Sequence, residues 1–231
     1  MFFLCFAPAH GLGQTREELD YIADSLLQTA THEQRALGII QAIDWESRII
    51  KDIPSLSPVL ASNLSRINIS SKFGSRFHPI YQRSHHHSGI DIPPPPGNDT
   101  IYAPANGIID TIGYDNRLGY FIRIHHKYGY QTTYGHLRHV LASISDPILI
   151  GDPIALIGST GTSTGPHLHY SVKYRGKLVN PLPYCYLMYD YLLCARIGCL
   201  CKCSFCKLLG KCSLKNLSST ALSERETGQG V

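Results

Sequence analysis

Residues 6–184 contain no cysteine: of eight in the chain, Cys5 stands near the start and the other seven lie from Cys185 onward. The long middle section therefore needs no disulfide and uses no thiolate. Charge is also sparse. Charged residues make up 16% of the chain and the formal net charge is +4, too little to indicate a nucleic-acid partner, although a mildly basic protein is favoured near the anionic polymers of a cell envelope. No run reaches the roughly 18 uninterrupted apolar residues of a membrane span; the nearest, residues 184–200, is broken by Asp190 and Arg196. No Lys or Arg precedes Arg16. Residues 1–13, with Phe2, Phe3, Leu4, Phe6 and then Ala7-Pro8-Ala9, thus match the end of a secretory signal but lack its basic start. No H-E-x-x-H string occurs, which excludes a helix-borne glutamate base of that kind.

What is present is a hydrophobic content of 43% over 231 residues, enough for one ordinary domain with an extension. From Thr15 the pattern is helical. Thr15 and Glu18 form a capping box, and Leu19, Ile22, Ala23, Leu26, Leu27 and Ala30 recur at three- and four-residue spacing. Thr31 and Gln34 repeat the capping pattern before a second helical stretch to about Ile50, so residues 15–50 read as a helical hairpin or bent helix that regulates access or docks on an envelope protein partner. Residues 52–58, with two prolines and two serines, read as a linker.

From about Ser70 short runs rich in Ile, Val, Tyr and Phe are punctuated by Gly, Pro or Asn. Strands are expected at 101–103, 107–114, 120–125, 130–134, 153–157 and 168–174. No helical period interrupts them, which argues for a mainly β domain of antiparallel sheets over residues 68–184. Residues 185–231 form a Cys-rich and then polar tail. It has one C-x-x-C (Cys203, Cys206) without the paired knuckles of a structural zinc site, and reads as an irregular extension.

Ten of the twelve histidines fall between His78 and His169, in a section with three informative strings. In Gly165-Pro166-His167-Leu168-His169, two imidazoles two apart on a strand project from one face and can supply a metal ligand and a free imidazole beside it. In His87-Ser88-Gly89-Ile90-Asp91, the run Pro93–Pro96 excludes a helix and Gly89 bends the backbone, so an imidazole and a carboxylate four apart can converge on one ion from a turn entering a strand. His85 and His86 compete with His87 as a loose metal-binding tract, but only His87 stands in the H-x-x-x-D relation. In Tyr134-Gly135-His136-Leu137, a lone histidine ends a strand candidate and taken alone is an ordinary hydrogen-bonded side chain.

Together the three strings resemble, in order and local detail, the lysostaphin-like or LytM-like metallopeptidases. The resemblance runs from about Ser71 to Pro181 and includes Phe73-Gly74-Ser75-Arg76 with His78-Pro79, Ala103-Pro104 with Gly107, Gly129, Gly158-x-Thr160-Gly161 and Asn180-Pro181. It implies a compact antiparallel β fold of the duplicated-hybrid-motif type with a groove across one sheet. It implies further that His87, Asp91 and His169 bind one Zn²⁺ and that His136 and His167 stay unligated beside it as catalytic residues. The function it implies is endopeptidase hydrolysis of peptidoglycan peptides, at stem cross-links or interpeptide bridges, by an exported protein of the periplasm or cell envelope. A non-catalytic module of the same fold that binds peptidoglycan or activates a hydrolase is the alternative, and intact ligands argue against it.

Overall fold

A computed structural model of the protein describes residues 15–43, 47–60, 67–78 and 83–187. The apolar N-terminus at 1–13 and the tail's cysteines from Cys194 onward lie outside the described residues. No helix among them is long and apolar enough to cross a membrane.

Two helices lead the described residues. In α1 (Arg16–Thr29) the capping box forms as the sequence predicts: Glu18 N–H donates to the Thr15 hydroxyl and Thr15 N–H to the Glu18 carboxylate. The α2 helix (Glu33–Ala42) departs from expectation at both ends. Its N-cap is His32, without a side-chain cap. Thr31 misses the capping role because its hydroxyl bonds the His32 ring instead. α2 stops at Ala42, and Arg48–Asp52 is a separate 3-10 turn in which the Ile49 N–H donates to the Ser47 hydroxyl.

Eleven strands follow: β1 (Gly74–His78), β2 (Arg83–His87), β3 (Ile90–Ile92), β4 (Thr100–Tyr102), β5 (Gly107–Asp115), β6 (Gly119–His125), β7 (Tyr130–Val140), β8 (Pro147–Ile148), β9 (Pro153–Ile157), β10 (Leu168–Tyr174) and β11 (Lys177–Val179). Every pairing is antiparallel. β1 and β2 form a separate hairpin. The main sheet runs β11-β10-β7-β6-β5-β8, with β3 on β10 and β9 joining β4 to β7. The fold is mainly antiparallel β, as the sequence implied. The described residues close with a short helix, α3 (Leu182–Cys185), where the Cys185 thiol is buried and its pKa pushed up to about 12 by burial.

Alternation divides the main sheet into two faces. Leu168, Tyr170, Val172 and Tyr174 of β10, with Tyr130, Thr132 and Tyr134 of β7, pack into the core together with Ile122 and Ile124. A fully buried side chain of this size is worth about 1.5–3 kcal/mol. The opposite face carries His169, Ser171 and Lys173, paired across β7 with Gly135, Thr133 and Gln131.

The N-terminal helices dock at the end of this sheet distant from His169. Tyr128 donates to Asp24 at 2.6 Å, Tyr174 to the Ala30 carbonyl, and Arg175 to the Gln28 carbonyl at 2.5 Å. Residues 52–58 are tied to the sheet as well. Ile53, Pro54 and Ser55 are buried, Ser55 and Leu56 N–H groups donate to the Pro104 carbonyl, and Tyr102 N–H donates to that of Pro58.

Candidate metal centre

His87 ends β2, and Ser88-Gly89 turns the chain into β3, which carries Asp91. Asp91 is the cross-strand partner of His169 on β10, a pairing that brings two same-face side chains within about 5 Å at Cβ. Gly89 makes this closeness attainable. A Cβ there would stand 2.3 Å from the Tyr170 carbonyl oxygen, so any side chain would push β3 off β10. The sequence reading of a turn entering a strand therefore matches the observed path.

Three atoms meet. His87 Nε2 lies 3.1 Å from His169 Nδ1 and 3.1 Å from Asp91 Oδ1, and His169 Nδ1 lies 3.0 Å from Asp91 Oδ1. Both histidines are buried. Outer hydrogen bonds fix which nitrogens face inward. His87 Nδ1 donates to the Lys72 carbonyl at 3.0 Å, leaving Nε2 a lone pair, and His169 Nε2 faces the Ser88 hydroxyl at 3.4 Å, leaving Nδ1 for the cluster. Burial alone would raise the Asp91 pKa, but the contacts with His169 and His87, whose rings attract the carboxylate when protonated, hold the carboxyl well below the usual carboxylate range; with both rings neutral the balance is different. Two lone pairs and an anion turned on one point repel one another unless a cation sits among them. A tetrahedral ion with bonds of 2.0–2.2 Å needs donors about 3.3–3.6 Å apart. The observed triangle is within a few tenths of an ångström of that, and these three residues form a group that can hold a metal ion.

His136 and His167 stand beside the triangle. Their rings are 4.6 Å apart, and His136 is 6.0 Å from the His169 ring. His167 Nε2 is 3.8 Å from Asp91 Oδ1. Each ring is oriented by a backbone carbonyl: His136 Nδ1 donates to Thr160 O and His167 Nδ1 to Gly165 O, both at 2.8 Å. In a neutral ring that hydrogen bond makes Nε2 the acceptor nitrogen. Burial lowers the His136 pKa, ahead of the opposing hydrogen bond to the Thr160 carbonyl, and so favours the neutral ring.

All five residues singled out from the sequence thus come together. Two local details differ from expectation. His136 lies inside the long strand β7 with φ +62°, its N–H donating to Leu118 O at 2.6 Å, because the left-handed kink lets pairing resume beyond it. His167 precedes β10 by one residue and is placed by its N–H bond to Gly158 O at 3.1 Å. The competing His86 faces away, edge-on to Phe73 at 5.2 Å. Sequence reasoning gave no role to Ser88 or to the orienting carbonyls. Ser88 was visible inside the H-x-G-x-D string, whereas a carbonyl leaves no mark in residue type.

A mainly antiparallel β domain with a two-histidine, one-carboxylate cluster and two further imidazoles beside it has the outline of a metallopeptidase domain. Residues 85–181 match the family model described as Peptidase family M23, and this part of the chain is a domain of that family, the lysostaphin or LytM type. An "Uncharacterized metalloprotease" of Buchnera aphidicola is 41% identical over 119 residues, covering 51% of this chain and 31% of that protein. The "Peptidoglycan DD-endopeptidase ShyA" of Vibrio cholerae is 35% identical over 119 residues, 51% of this chain and 27% of that protein. Among solved structures, a zinc containing peptidase from Vibrio cholerae is 31% identical, with 55% of this chain and 39% of that chain covered at a TM-score of 0.49. The match spans less than a third of the length of these two curated relatives.

Proposed function

We propose that the protein is a zinc-dependent endopeptidase that hydrolyses peptide bonds of bacterial peptidoglycan, in stem cross-links or interpeptide bridges, and acts outside the cytoplasm. The observation that carries this reading is the 3.0–3.1 Å triangle of His87, Asp91 and His169 with two further imidazoles next to it, each held at Nδ1 by a backbone carbonyl. The donor set of two imidazoles and one carboxylate suits Zn²⁺, with one position free of protein, as in catalytic rather than structural zinc sites. The names of the relatives, a metalloprotease and a peptidoglycan DD-endopeptidase, support the substrate class.

His87, Asp91 and His169 hold the ion in this reading. When bound, zinc supplies Lewis-acid polarisation of a carbonyl and acidification of water. The chain's own residues handle the proton. His136 and His167, each with Nδ1–H fixed on a carbonyl, offer Nε2 as acceptor. Once protonated, the same nitrogen donates to the developing oxyanion or to the departing amine. Holding both rings on backbone carbonyls means that no side chain needs to reorganise during the transfer.

The test compares two substitutions. His169→Ala is expected to lose bound zinc. His136→Ala is expected to retain one zinc per chain while release of soluble peptides from purified peptidoglycan falls by about 10²–10⁴-fold. Zinc by elemental analysis and products by mass spectrometry give the two readouts. Equal zinc loss in both variants, or a zinc-loaded wild type that releases nothing, would contradict the assignment.

A further inference from the structure

Next to the imidazole pair lies a cavity of about 400 Å³, whose lining includes the apolar Pro94, Ile157 and Pro166 and the charged Asp99 and Arg138. It shares its wall with the candidate catalytic residues. Thr160, whose carbonyl orients His136, and Gly158, whose carbonyl accepts the N–H of His167, both line it. Arg138 follows His136 by two residues on β7, and its Nη2 donates to Asp99 Oδ2 at 2.5 Å.

An ion pair this exposed, 59% for Arg138 and 43% for Asp99, contributes little to stability. Its effect is on orientation. A guanidinium has five N–H donors in a planar fork, and the Asp99 contact uses one nitrogen, which holds the fork in place with donors left for a ligand. A carboxylate can add to the donors left on the guanidinium without breaking the pair. The two prolines and the isoleucine of the lining suit a short carbon chain and offer no competing charge.

We infer that this cavity is a subsite for a substrate residue bearing a free carboxylate, which Arg138 binds while Pro94, Ile157 and Pro166 hold the residue's carbon chain. The inference rests on the peptidase reading above and deepens it: Arg138 sets a preference for acidic over amidated peptides.

Two cross-linked peptides test it, identical except that the residue beside the scissile bond carries a carboxylate in one and a carboxamide in the other. Wild type, Arg138→Lys and Arg138→Gln are compared in kcat/KM, with zinc content measured on the same samples. Wild type is expected to favour the carboxylate by about tenfold, Arg138→Lys to keep part of that preference, and Arg138→Gln to bring the ratio within about threefold, all three with equal zinc. A wild-type ratio preserved in Arg138→Gln overturns the subsite. A wild type that binds no zinc and cleaves neither peptide overturns the peptidase reading instead.

Discussion

Acidification should weaken this domain through one histidine outside the metal centre. His126 is buried, its Nδ1–H donating to the Asn106 carbonyl at 2.7 Å and its Nε2 accepting from the Thr132 hydroxyl at 2.8 Å. That hydroxyl in turn accepts from Tyr134 at 2.9 Å, so the ring sits in a network built for its neutral form. Burial lowers its pKa from 6.5 to about 4, against the hydrogen bond to Asn106, which favours charge. Above pH 6.5 the ring is neutral in both folded and unfolded chains and contributes no pH dependence. As pH falls through 6.5 the unfolded chain takes up the proton while the folded one does not until about pH 4, so stability is lost across that window and levels off below it. The gap between the two pKa values, at 1.36 kcal/mol per unit, corresponds to about 3 kcal/mol. With a urea slope of about 2 kcal/mol/M, the midpoint falls by about 1.5 M. The assay is urea unfolding from pH 7.5 to 4 with chelator present, which removes metal release as a second source of acid sensitivity. His126→Gln should be the less stable protein at pH 7.5, and its deficit relative to wild type should shrink by about 3 kcal/mol by pH 4. A deficit that stays constant over the whole range would refute the reasoning.

Three further outcomes are expected. Gly119→Ala should lower turnover with zinc retained, because the new Cβ at φ +64° would meet the Thr160 carbonyl oxygen at 2.5 Å and displace the group that orients His136; unchanged turnover would show that this loop has slack. Ser88→Ala should weaken zinc affinity by about tenfold, measured by competition with a chromogenic chelator, since the outer partner of His169 Nε2 is removed. Tyr128→Phe should cost about 1 kcal/mol in thermal unfolding, by removing the donor to Asp24 Oδ1, while zinc content and turnover stay at the wild-type level.

Strand positions were legible where one face is steadily apolar. Pro153–Ile157 and Leu168–Tyr174 occupy the residues read from the pattern, because their apolar side chains, Ile154, Ala155 and Ile157 in one and Leu168, Tyr170, Val172 and Tyr174 in the other, meet the core. β7 was read as ending at Tyr134, yet it continues to Val140. Glycine followed by a left-handed histidine looks like a strand end in sequence, and only the Leu118 carbonyl shows why pairing resumes. The β1–β2 hairpin was missed altogether. Its strand Arg83–His87 is polar at every position, with no periodic apolar signal to detect. Helix ends erred for a local reason: Thr31 has the residue type of a cap, but its hydroxyl is taken by its neighbour's ring. At the metal centre, residue types and spacing pointed to the five side chains. What orients them was hidden, since the Lys72, Thr160 and Gly165 carbonyls are backbone atoms that any residue could present.

The grip of α1 on Tyr128, Tyr174 and Arg175 has a practical corollary. Tyr174 and His169 are five positions apart on one strand, or about 17 Å. A bead, fusion partner or lattice coupled through the outward side of that helix, where Tyr21 is 73% exposed, would therefore leave the histidine-lined mouth pointing into free solution. An immobilised form of this protein is best built from that end.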